Sequence, residues 1–530
     1  MGPCGSWAGH FRGKCIFAGA MAGFEWSERT RQSVWFWLAW LLLCWPLGVY
    51  DYLQRPPQGM HQSAQCDRAS LAWNFAYTDG DILHPRIHEV RFGDGIVAGE
   101  MPVMPWLTSR LYKVFGFNDA WFRTLNFVVY SLGIWCAFLI TGFFINKLLH
   151  RFLLMALWCL SPLLFFYAPG FIPDTAAFGF SLIAWYFFIA WWFRKSGPGL
   201  YLFGVFFLCL AGLIKVTFAA GLLPALLLPY LGAFFRQKPW LSKLGYALPV
   251  AMAVLAIGSW YRYAAALNKQ YGNPHFLLNI KPAKDWNNAR ELFHSTFTNW
   301  LENLYPGWFL PIVALAGLAV LYYRRRSEPL LWLPAFLYSG AALGIYGLLQ
   351  FQFLYHDYYF IFYFLPLFFL LILIYLRTVR FAERRGLFGW LVLILLLFLP
   401  VRHYSNTAHY LDERYRPGSY WNQTLTDAGT WPGAGKWLDE AGVPRGNPGL
   451  LTGYDETPNN QLYFLERRGY RFFSDYSPET VWKIMQQHSV QWLVLTDAEE
   501  WDRRYANDSL FTTRKVSQRK YLSLRKVEWR

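Results

Sequence analysis

Charged residues are scarce in this 530-residue chain, at 15% of the sequence. Soluble domains carry ~25%, so the composition argues against the three or four soluble domains that the length alone would allow. Hydrophobic residues reach 55% and aromatic residues 20%, which excludes disorder as the main state. This balance is typical of a polytopic membrane protein. A mean hydropathy of only +0.18 indicates that a large part of the chain lies outside the lipid.

Cysteine is also sparse, with seven residues, and only Cys66 falls in a segment that we predict to lie on the outer side of the membrane. The sequence therefore indicates neither a disulfide framework nor a cysteine metal site. No cluster of His and carboxylate residues demands a metal, so we predict no cofactor. No repeat of 20–50 residues is present.

Long apolar runs, in contrast, are abundant. Each is long enough to cross a hydrocarbon core of ~30 Å. The first run is too long for a signal-peptide core and has no small-residue cleavage site, so we interpret it as a retained span that follows a cytoplasmic tail at 1–32. Met21 is an alternative start to Met1. The eleven predicted spans are 33–52, 121–146, 152–168, 175–193, 199–214, 216–235, 244–265, 308–323, 329–350, 359–376 and 387–402.

The excess of positive charge lies on the predicted cytoplasmic side of the membrane. With the N-terminus in the cytoplasm, the short loops on that side carry 18 basic and four acidic residues, and the other segments carry 31 basic and 29 acidic residues. The net charge of +16 therefore follows the positive-inside rule and does not indicate a nucleic-acid partner. The predicted topology places the N-terminus inside and the C-terminus outside.

Three segments on the predicted outer side are long, at 53–120, 266–307 and 403–530. The last follows the transmembrane domain at 33–402 and is the right size for one small domain. Strands and helices alternate in it, which favours an α/β domain with a partly parallel sheet. No Gly-rich phosphate loop precedes its helices, so we expect a structural or acceptor-side domain without catalytic residues. Its predicted helices are 431–442, 459–468 and 478–488, and its predicted strands are 449–452, 470–473 and 491–496.

The spans contain almost no ionisable residues at mid-depth, which weakens a transporter interpretation. The polar residues of interest lie in the loop at 53–120. Residues 61–77 have helical character, with Asp67, Leu71 and Asn74 on one stripe, which predicts a helix lying on the membrane surface. Glu100 follows in a GEMP segment. These two carboxylates would serve either as a general base and an electrostatic partner or as ordinary solvated acids of a loop.

The loop contains three short motifs in order: Gln65, Cys66, Asp67, Ala69, Ser70, Leu71, Ala72, Asn74 and Phe75, then Pro85, Arg86 and Ile87, then Glu100 and Pro102. With these motifs the loop resembles the first outer loop of the GT-C glycosyltransferases, in the branch that includes bacterial aminoarabinose transferases and protein O-mannosyltransferases. Bacterial relatives in that branch carry a Q-S-D-x-A-S-I-A-x-N-F stretch, then P-R-I and an E-x-P element.

The resemblance extends from about residue 50 to residue 475. This sequence departs from the family at one position. Some family members have a Lys directly after the acid of the E-x-P element, where this sequence has Met101. The contact with the donor phosphate must therefore come from another residue here. The further matching segments are IPDTAAF with Asp174 at the start of the fourth span, GLIKVTF with Lys215 near the outer end of the fifth, HDYY from His356 to Tyr359 at the start of the tenth, and TPNNQLYFLERRGY from Thr457 to Tyr470 in the tail.

The resemblance implies an enzyme that transfers a sugar, with inversion, from a polyprenyl-phosphate donor to an acceptor at the outer face. Asp67 would be the general base, and Glu100 would orient the acceptor or assist through its charge or a bound metal. The leaving phosphate needs cations or hydrogen-bond donors. Arg86, Lys215 and His356 are the implied phosphate contacts, and Tyr358 and Tyr359 would add hydroxyl donors or pack on the lipid or sugar.

Each of these candidates also has a structural interpretation. Asp174 would cap the N-terminus of its span, Lys215 would snorkel to the interface, His356 and Asp357 would form an interfacial turn, and Arg86 would form a surface ion pair with Asp81 or Glu89.

We therefore predict an all-α polytopic membrane domain of about 11 helices with a small C-terminal α/β domain outside the cytoplasm, in a bacterial inner membrane. The predicted partners are a polyprenyl-phosphate sugar, membrane lipid, and a glycolipid, polysaccharide or protein acceptor. Three alternatives stay open: a transporter or flippase for lipid-linked glycans, a non-catalytic polyprenyl-lipid binder, and an enzyme that transfers a whole oligosaccharide.

Overall fold

The computed structural model describes residues 22–194, 197–235, 244–276, 280–323, 328–382, 387–416, 418–419, 431–453, 457–505 and 511–530. The helices of the first part are α1 (Ala22–Cys44), α2 (Val49–Leu53), α3 (Gln62–Tyr77), α4 (Val103–Phe115), α5 (Asp119–Thr141), α6 (Leu148–Cys159), α7 (Pro162–Tyr167), α8 (Asp174–Arg194), α9 (Gly199–Ile214), α10 (Leu222–Phe235), α11 (Ala247–Tyr271), α12 (Trp286–Leu304), α13 (Phe309–Tyr323), α14 (Pro329–Tyr355), α15 (Phe364–Ala382) and α16 (Leu387–Tyr415).

In this first part, two 3₁₀ segments, Val216–Gly221 and Asp357–Tyr363, directly precede α10 and α15.

The C-terminal part alternates helices and strands. The C-terminal elements are α17 (Ala434–Glu440), β1 (Gly446–Gly453), α18 (Asn460–Phe464), β2 (Arg467–Phe472), α19 (Pro478–Gln487), β3 (Trp492–Leu495), α20 (Ala498–Tyr505), β4 (Phe511–Arg519) and β5 (Leu522–Trp529).

Each predicted span overlaps a helix of the described chain, although the runs at 33–52 and 152–168 are each divided between two helices. The run at 152–168 divides into α6 and α7 at Pro162, which has no N–H to continue the helical ladder. The count of eleven spans stays a prediction. Five described helical segments are long and apolar enough to cross a membrane: Asp119–Thr141, Asp174–Arg194, Leu244–Tyr271, Pro329–Tyr355 and Asp357–Val379.

Helices α5 and α8 approach each other at two glycines. A Cβ added to Gly133 would lie 2.6 Å from the Cα of Gly179, so neither position tolerates a side chain without a shift of backbone. Small residues allow such close approach between membrane helices, where dispersion contacts rather than water drive association. This contact fixes the start of α8 relative to α5.

Helix α3 confirms the helix predicted at 61–77, but its surroundings differ from the prediction. From Gln65 to Ala76 no side chain is exposed, whereas a helix lying on a membrane surface would expose one face. It packs against α4 on one side and α18 of the C-terminal domain on another. Helix α3 is thus enclosed between the two parts of the protein.

The C-terminal domain contains a five-stranded sheet in the order β2-β1-β3-β5-β4. Strand β1 pairs in parallel with β2 and β3, and β5 pairs antiparallel with β3 and β4. This confirms a small α/β domain with a partly parallel sheet. One prediction was wrong in extent, because the helix expected at 459–468 ends at Phe464 and Arg467 already begins β2.

The loop at 53–120 attaches to the edge of this sheet. Gly469 N of β2 donates to His88 O at 3.0 Å, and Val90 N donates to Gly469 O at 2.9 Å. Between these two residues, the buried carboxylate of Glu89 pairs with Arg471 at 3.0 Å. The loop therefore extends the sheet, and this connection holds the C-terminal domain over α3.

Candidate active site between the 53–120 loop and the membrane helices

Four charged side chains from separate elements meet at one end of the helical bundle. Arg68 Nη2 donates to Glu100 Oε2 at 2.9 Å, and Lys215 Nζ donates to Glu100 Oε1 at 3.1 Å. Lys215 Nζ also lies 3.4 Å from Asp174 Oδ2. The result is an alternating chain of two cations and two carboxylates, which we call the charge cluster.

Local structure determines where each member of the cluster lies. Asp174 is the first residue of α8, where the helix dipole favours a carboxylate. Lys215 directly follows α9 and has an extended backbone that ends the helix. Glu100 is held near that point because the next residue, Met101, donates its N–H to Leu213 O at 2.9 Å.

A cavity of about 510 Å³ opens beside the charge cluster. Arg68, Glu100 and Lys215 line it together with Tyr358 and Tyr359. The Lys215 ammonium lies 4.6 Å from the centre of the Tyr359 ring and 5.4 Å from that of Tyr358, which are cation–π distances. Ligand sites typically occupy ~300–1,000 Å³. The cavity therefore has the size and the convergent polar groups of a small-molecule site.

The two cations keep Glu100 ionised. Burial alone raises the pKa of this carboxyl, but the charges of Arg68 and Lys215 outweigh burial and bring the pKa to about 2. A group with this pKa is a poor proton acceptor near neutral pH. Glu100 is therefore suited to orient its cationic neighbours rather than to remove a proton.

Asp67 lies at the margin of the cluster, with Oδ2 4.0 Å from Arg68 Nη1. Its other oxygen accepts a hydrogen bond of 2.8 Å from the side-chain amide of Asn459 in the C-terminal domain. The amide oxygen of Asn459 in turn accepts from His88 N at 2.8 Å and from Ser70 Oγ at 3.1 Å. Since Asn459 is fully buried, these contacts fix the orientation of the amide that faces Asp67.

His88 is buried beside this contact. Its Nδ1 lies 2.6 Å from Ser70 Oγ. Burial, followed by the charge of Arg468, lowers the pKa of His88 to about 3. The ring is therefore neutral at physiological pH and is part of the joint between the loop and the C-terminal domain.

Asp357 belongs to a different network. Arg414 Nη2 donates to its Oδ2 at 2.6 Å, Tyr167 OH donates to its Oδ1 at 2.5 Å, and His61 Nε2 lies 3.2 Å from the same Oδ1. The Asp357 and Arg414 side chains are fully buried. This ion pair joins α16 to the segment whose next two residues are Tyr358 and Tyr359. The His356 ring is tilted by 56° against that of His61, with ring centres 5.2 Å apart, and His356 does not line the cavity.

Arg86 does not line the cavity and is half-buried within the loop. It donates to Asp94 Oδ2 at 2.7 Å and to Asp79 Oδ2 at 3.3 Å. The sequence had suggested Asp81 or Glu89 as ion-pair partners, and those two identities were wrong: Asp81 contacts His84 at 2.7 Å, and Glu89 contacts Arg471. The partners differ because the loop folds back on itself between residues 79 and 94.

Two site residues were missed by sequence reasoning. Arg68 directly follows Asp67 and so lies within the matched stretch, but an arginine next to an acid in a sequence is typical of a solvent-exposed ion pair. Asn459 lies within the tail segment that resembles the family, yet only the fold shows that it reaches Asp67.

In the described part of the chain, no group of three or more His, Cys, Asp or Glu residues is arranged to hold a metal ion.

The fold has solved counterparts. ArnT from Cupriavidus metallidurans in the apo state superposes with a TM-score of 0.59 at 13% identity, over 92% of this chain and 98% of that chain. The same enzyme bound to undecaprenyl phosphate gives 0.58 at the same identity and coverage. The oligosaccharyltransferase AglB from Archaeoglobus fulgidus, in complex with an inhibitory peptide and a dolichol-phosphate, gives 0.50 at 12% identity, over 87% of this chain and 70% of that chain.

These likenesses confirm the predicted GT-C-like fold: a helical membrane domain followed by a small C-terminal domain. At the level of sequence, no family model and no curated protein matches the chain.

Proposed function

We propose that the chain is a membrane glycosyltransferase that transfers a sugar from a polyprenyl-phosphate donor to an acceptor, with inversion, at the outer face of a bacterial inner membrane. The observation that carries this proposal is the charge cluster at the 510 Å³ cavity, in a fold shared with an enzyme solved with undecaprenyl phosphate. The dolichol-phosphate and peptide in the AglB complex support a lipid-phosphate donor and a separate acceptor in this fold.

Arg68 and Lys215 are the groups that bind the donor phosphate in this proposal. Preorganised cations are most effective where negative charge develops in the transition state. The two side chains are held about Glu100, which orients them, and Tyr358 and Tyr359 flank the same wall of the cavity. Asp174 holds Lys215 from the other side.

Asp67 is the general base. The acceptor hydroxyl attacks the anomeric carbon from the face opposite the phosphate and loses its proton to Asp67. The bond between the anomeric carbon and the phosphate oxygen breaks, and its electron pair stays with the polyprenyl phosphate next to the two cations. A positioned base contributes ~10²–10⁴-fold in rate.

The test is turnover by the purified full chain with a panel of radiolabelled polyprenyl-phosphate sugars and membrane extract as the acceptor. We expect Asp67→Asn to lower turnover by at least ~100-fold while polyprenyl-phosphate binding is kept. Asp81→Asn is the matched control, because Asp81 lies in the same loop, does not line the cavity, and forms its described hydrogen bonds within the loop. Equal turnover by wild type and Asp67→Asn would remove Asp67 as the base.

The turnover assay, together with a flipping assay in liposomes, separates the alternatives. A flippase would move lipid-linked glycan across liposomes with unchanged rate in Asp67→Asn, and a non-catalytic binder would bind the lipid without turnover. A donor that carries several sugars would identify an oligosaccharide transferase. The buried charges of the described apolar helices lie near helix ends, as Asp174, Lys215 and Asp357 do, and this arrangement favours the enzyme.

A further inference from the structure

A second cavity, of about 480 Å³, lies at the other end of the bundle. Helix α8 connects the two places, since Asp174 at its start belongs to the charge cluster and Arg194 at its end lines the second cavity. A helix of 21 residues is ~30 Å long, which matches the thickness of the hydrocarbon core. The two cavities therefore belong to opposite membrane faces.

Three arginines converge on this second cavity: Arg29 of α1, Arg151 of α6 and Arg194 of α8. Arg151 is buried, with 4% of its surface exposed. Its guanidinium donates to Gln32 Oε1 at 2.6 Å, to Phe138 O at 2.9 Å and to Thr141 Oγ1 at 3.3 Å. All three acceptors are neutral, and the guanidinium carbon also lies 3.9 Å from the centre of the Phe138 ring, a cation–π distance. None of these contacts brings a negative charge to Arg151.

Arg29 and Arg194 are exposed at the rim. Among the described residues that line this cavity none is acidic. Among the side chains that the structure describes, which begin at residue 28 and leave out 195–196, neither rim arginine forms an ion pair. This differs from the charge cluster, where each cation has a carboxylate. The positive-inside rule accounts for exposed arginines at this face, but it does not account for a buried one, because an uncompensated buried charge is costly.

The other wall of the cavity is apolar and aromatic. Trp135, Leu139, Phe143 and Tyr186 lie on α5, the segment that follows it and α8. A ligand that fits both walls carries a negative group at one end and hydrocarbon at the other. An arginine guanidinium can donate two parallel hydrogen bonds to the oxygens of one phosphate. Basic pockets between membrane helices bind anionic lipid head groups.

We propose that this cavity binds the phosphate head group of an anionic phospholipid from the membrane leaflet opposite the candidate active site. The phosphate contacts Arg29, Arg151 and Arg194, and an acyl chain lies along the aromatic wall. The lipid supplies the counter-charge that Arg151 otherwise lacks. This site is independent of the proposed sugar transfer, because it lies a membrane thickness away from the charge cluster.

The test is lipid binding by the full chain, measured by native mass spectrometry in detergent with added phosphatidylglycerol or phosphatidylcholine, and with inorganic phosphate as competitor. We expect wild type to prefer phosphatidylglycerol, and R29Q/R194Q to bind it at least ~10-fold more weakly, as expected when charge-assisted hydrogen bonds to a phosphate are removed. Arg151 stays unchanged in this variant because its burial links it to folding.

The matched control is R31Q/K147Q, which removes the same charge from exposed positions that do not line the cavity. Binding by the control should equal that of wild type. If R29Q/R194Q does not fold, the single variants R29Q and R194Q give the same comparison. Equal affinity in wild type and R29Q/R194Q, equal affinity for phosphatidylcholine, or displacement of the lipid by inorganic phosphate at similar concentration would each overturn the proposal.

Discussion

The side-chain amide of Asn459 donates a hydrogen bond of 2.8 Å to Asp67, although 392 residues separate the two along the chain. The contact crosses from the C-terminal domain to α3. Its donor is oriented by the backbone N–H of His88, in the strand-like segment that extends the C-terminal sheet. The C-terminal domain therefore takes part in building the candidate site and does not merely cover it.

Removal of this contact should affect catalysis more than donor binding. A hydrogen bond to a charged group contributes ~1.5–3 kcal/mol, so Asn459→Ala should lower kcat by ~10–100-fold. The KM for the lipid-linked donor should stay within about twofold, because Arg68 and Lys215 are unchanged and bind the phosphate in our proposal. Steady-state kinetics with the donor that the panel of polyprenyl-phosphate sugars selects measures both parameters.

The control for this prediction is Asn447→Ala, an exposed asparagine in the same domain. It should leave both parameters unchanged. A purely structural role for Asn459 would instead lower the amount of folded protein and leave kcat per folded molecule intact, which would contradict the positioning role.

The buried His88 predicts a pH-dependent stability. Burial and the charge of Arg468 lower its pKa to about 3 from 6.5. Between these values the unfolded chain binds a proton that the folded chain does not, so the free energy of unfolding falls as the pH drops below 6.5, by up to ~1.4 kcal/mol per pH unit. The melting temperature of wild type should therefore decrease between pH 7 and pH 5.

His88→Gln should flatten this decrease, since glutamine has no ionisable group. His409→Gln, which changes an exposed histidine of α16, should retain the slope of wild type. Parallel slopes for wild type and His88→Gln would show that another group controls the acid response.

The buried ion pair of Asp357 and Arg414 predicts a large effect on stability. Asp357→Asn leaves the fully buried Arg414 guanidinium without its counter-charge, which should lower the free energy of unfolding by ~3–5 kcal/mol. The double variant Asp357→Asn/Arg414→Gln removes both charges and should recover part of this loss. Thermal unfolding in detergent measures these two variants and the single variant Arg414→Gln.

Additive losses in that series would indicate that the two groups do not interact. A direct role of Asp357 in substrate binding predicts the opposite pattern, in which activity falls while the melting temperature stays at the wild-type value.

The membrane helices and α3 could be predicted because hydrophobic length and a 3.6-residue period are local properties of the chain. Helix α12 was not predicted, since its buried positions Leu292, Thr296 and Trp300 form only a narrow stripe among polar residues. Strands β4 and β5 were also not predicted. In β4, exposed polar residues alternate with half-buried ones and lack the apolar run that marks a strand.

Strand β2 shows why part of the site could not be predicted. Every residue of Arg467–Phe472 is buried although three of the six are arginines, a composition that indicates surface. Their partners are Asp439, Asp94 and Glu89, and two of these lie in the 53–120 loop. Pairing over such separations depends on the whole fold, and the same is true of Asn459 and Asp67.

The last prediction separates two candidates for the phosphate contact. Arg68 lines the cavity and pairs with Glu100, whereas Arg86 pairs with Asp79 and Asp94 within the loop. Loss of a preorganised group that stabilises developing charge typically costs ~10²–10³-fold in kcat. Arg68→Gln should therefore lower turnover by about that factor, and Lys215→Gln should act in the same way.

Arg86→Gln is the matched control, because it removes the same group from the same loop without touching the cavity. Its turnover should stay within about threefold of wild type, because neither Arg86 nor its two carboxylate partners, Asp79 and Asp94, line the cavity. The reverse result, with Arg86→Gln inactive and Arg68→Gln active, would move the donor phosphate from the cavity to the part of the loop around Arg86. Because the two variants differ only in position, their comparison tests the location of the donor site and not the general need for positive charge.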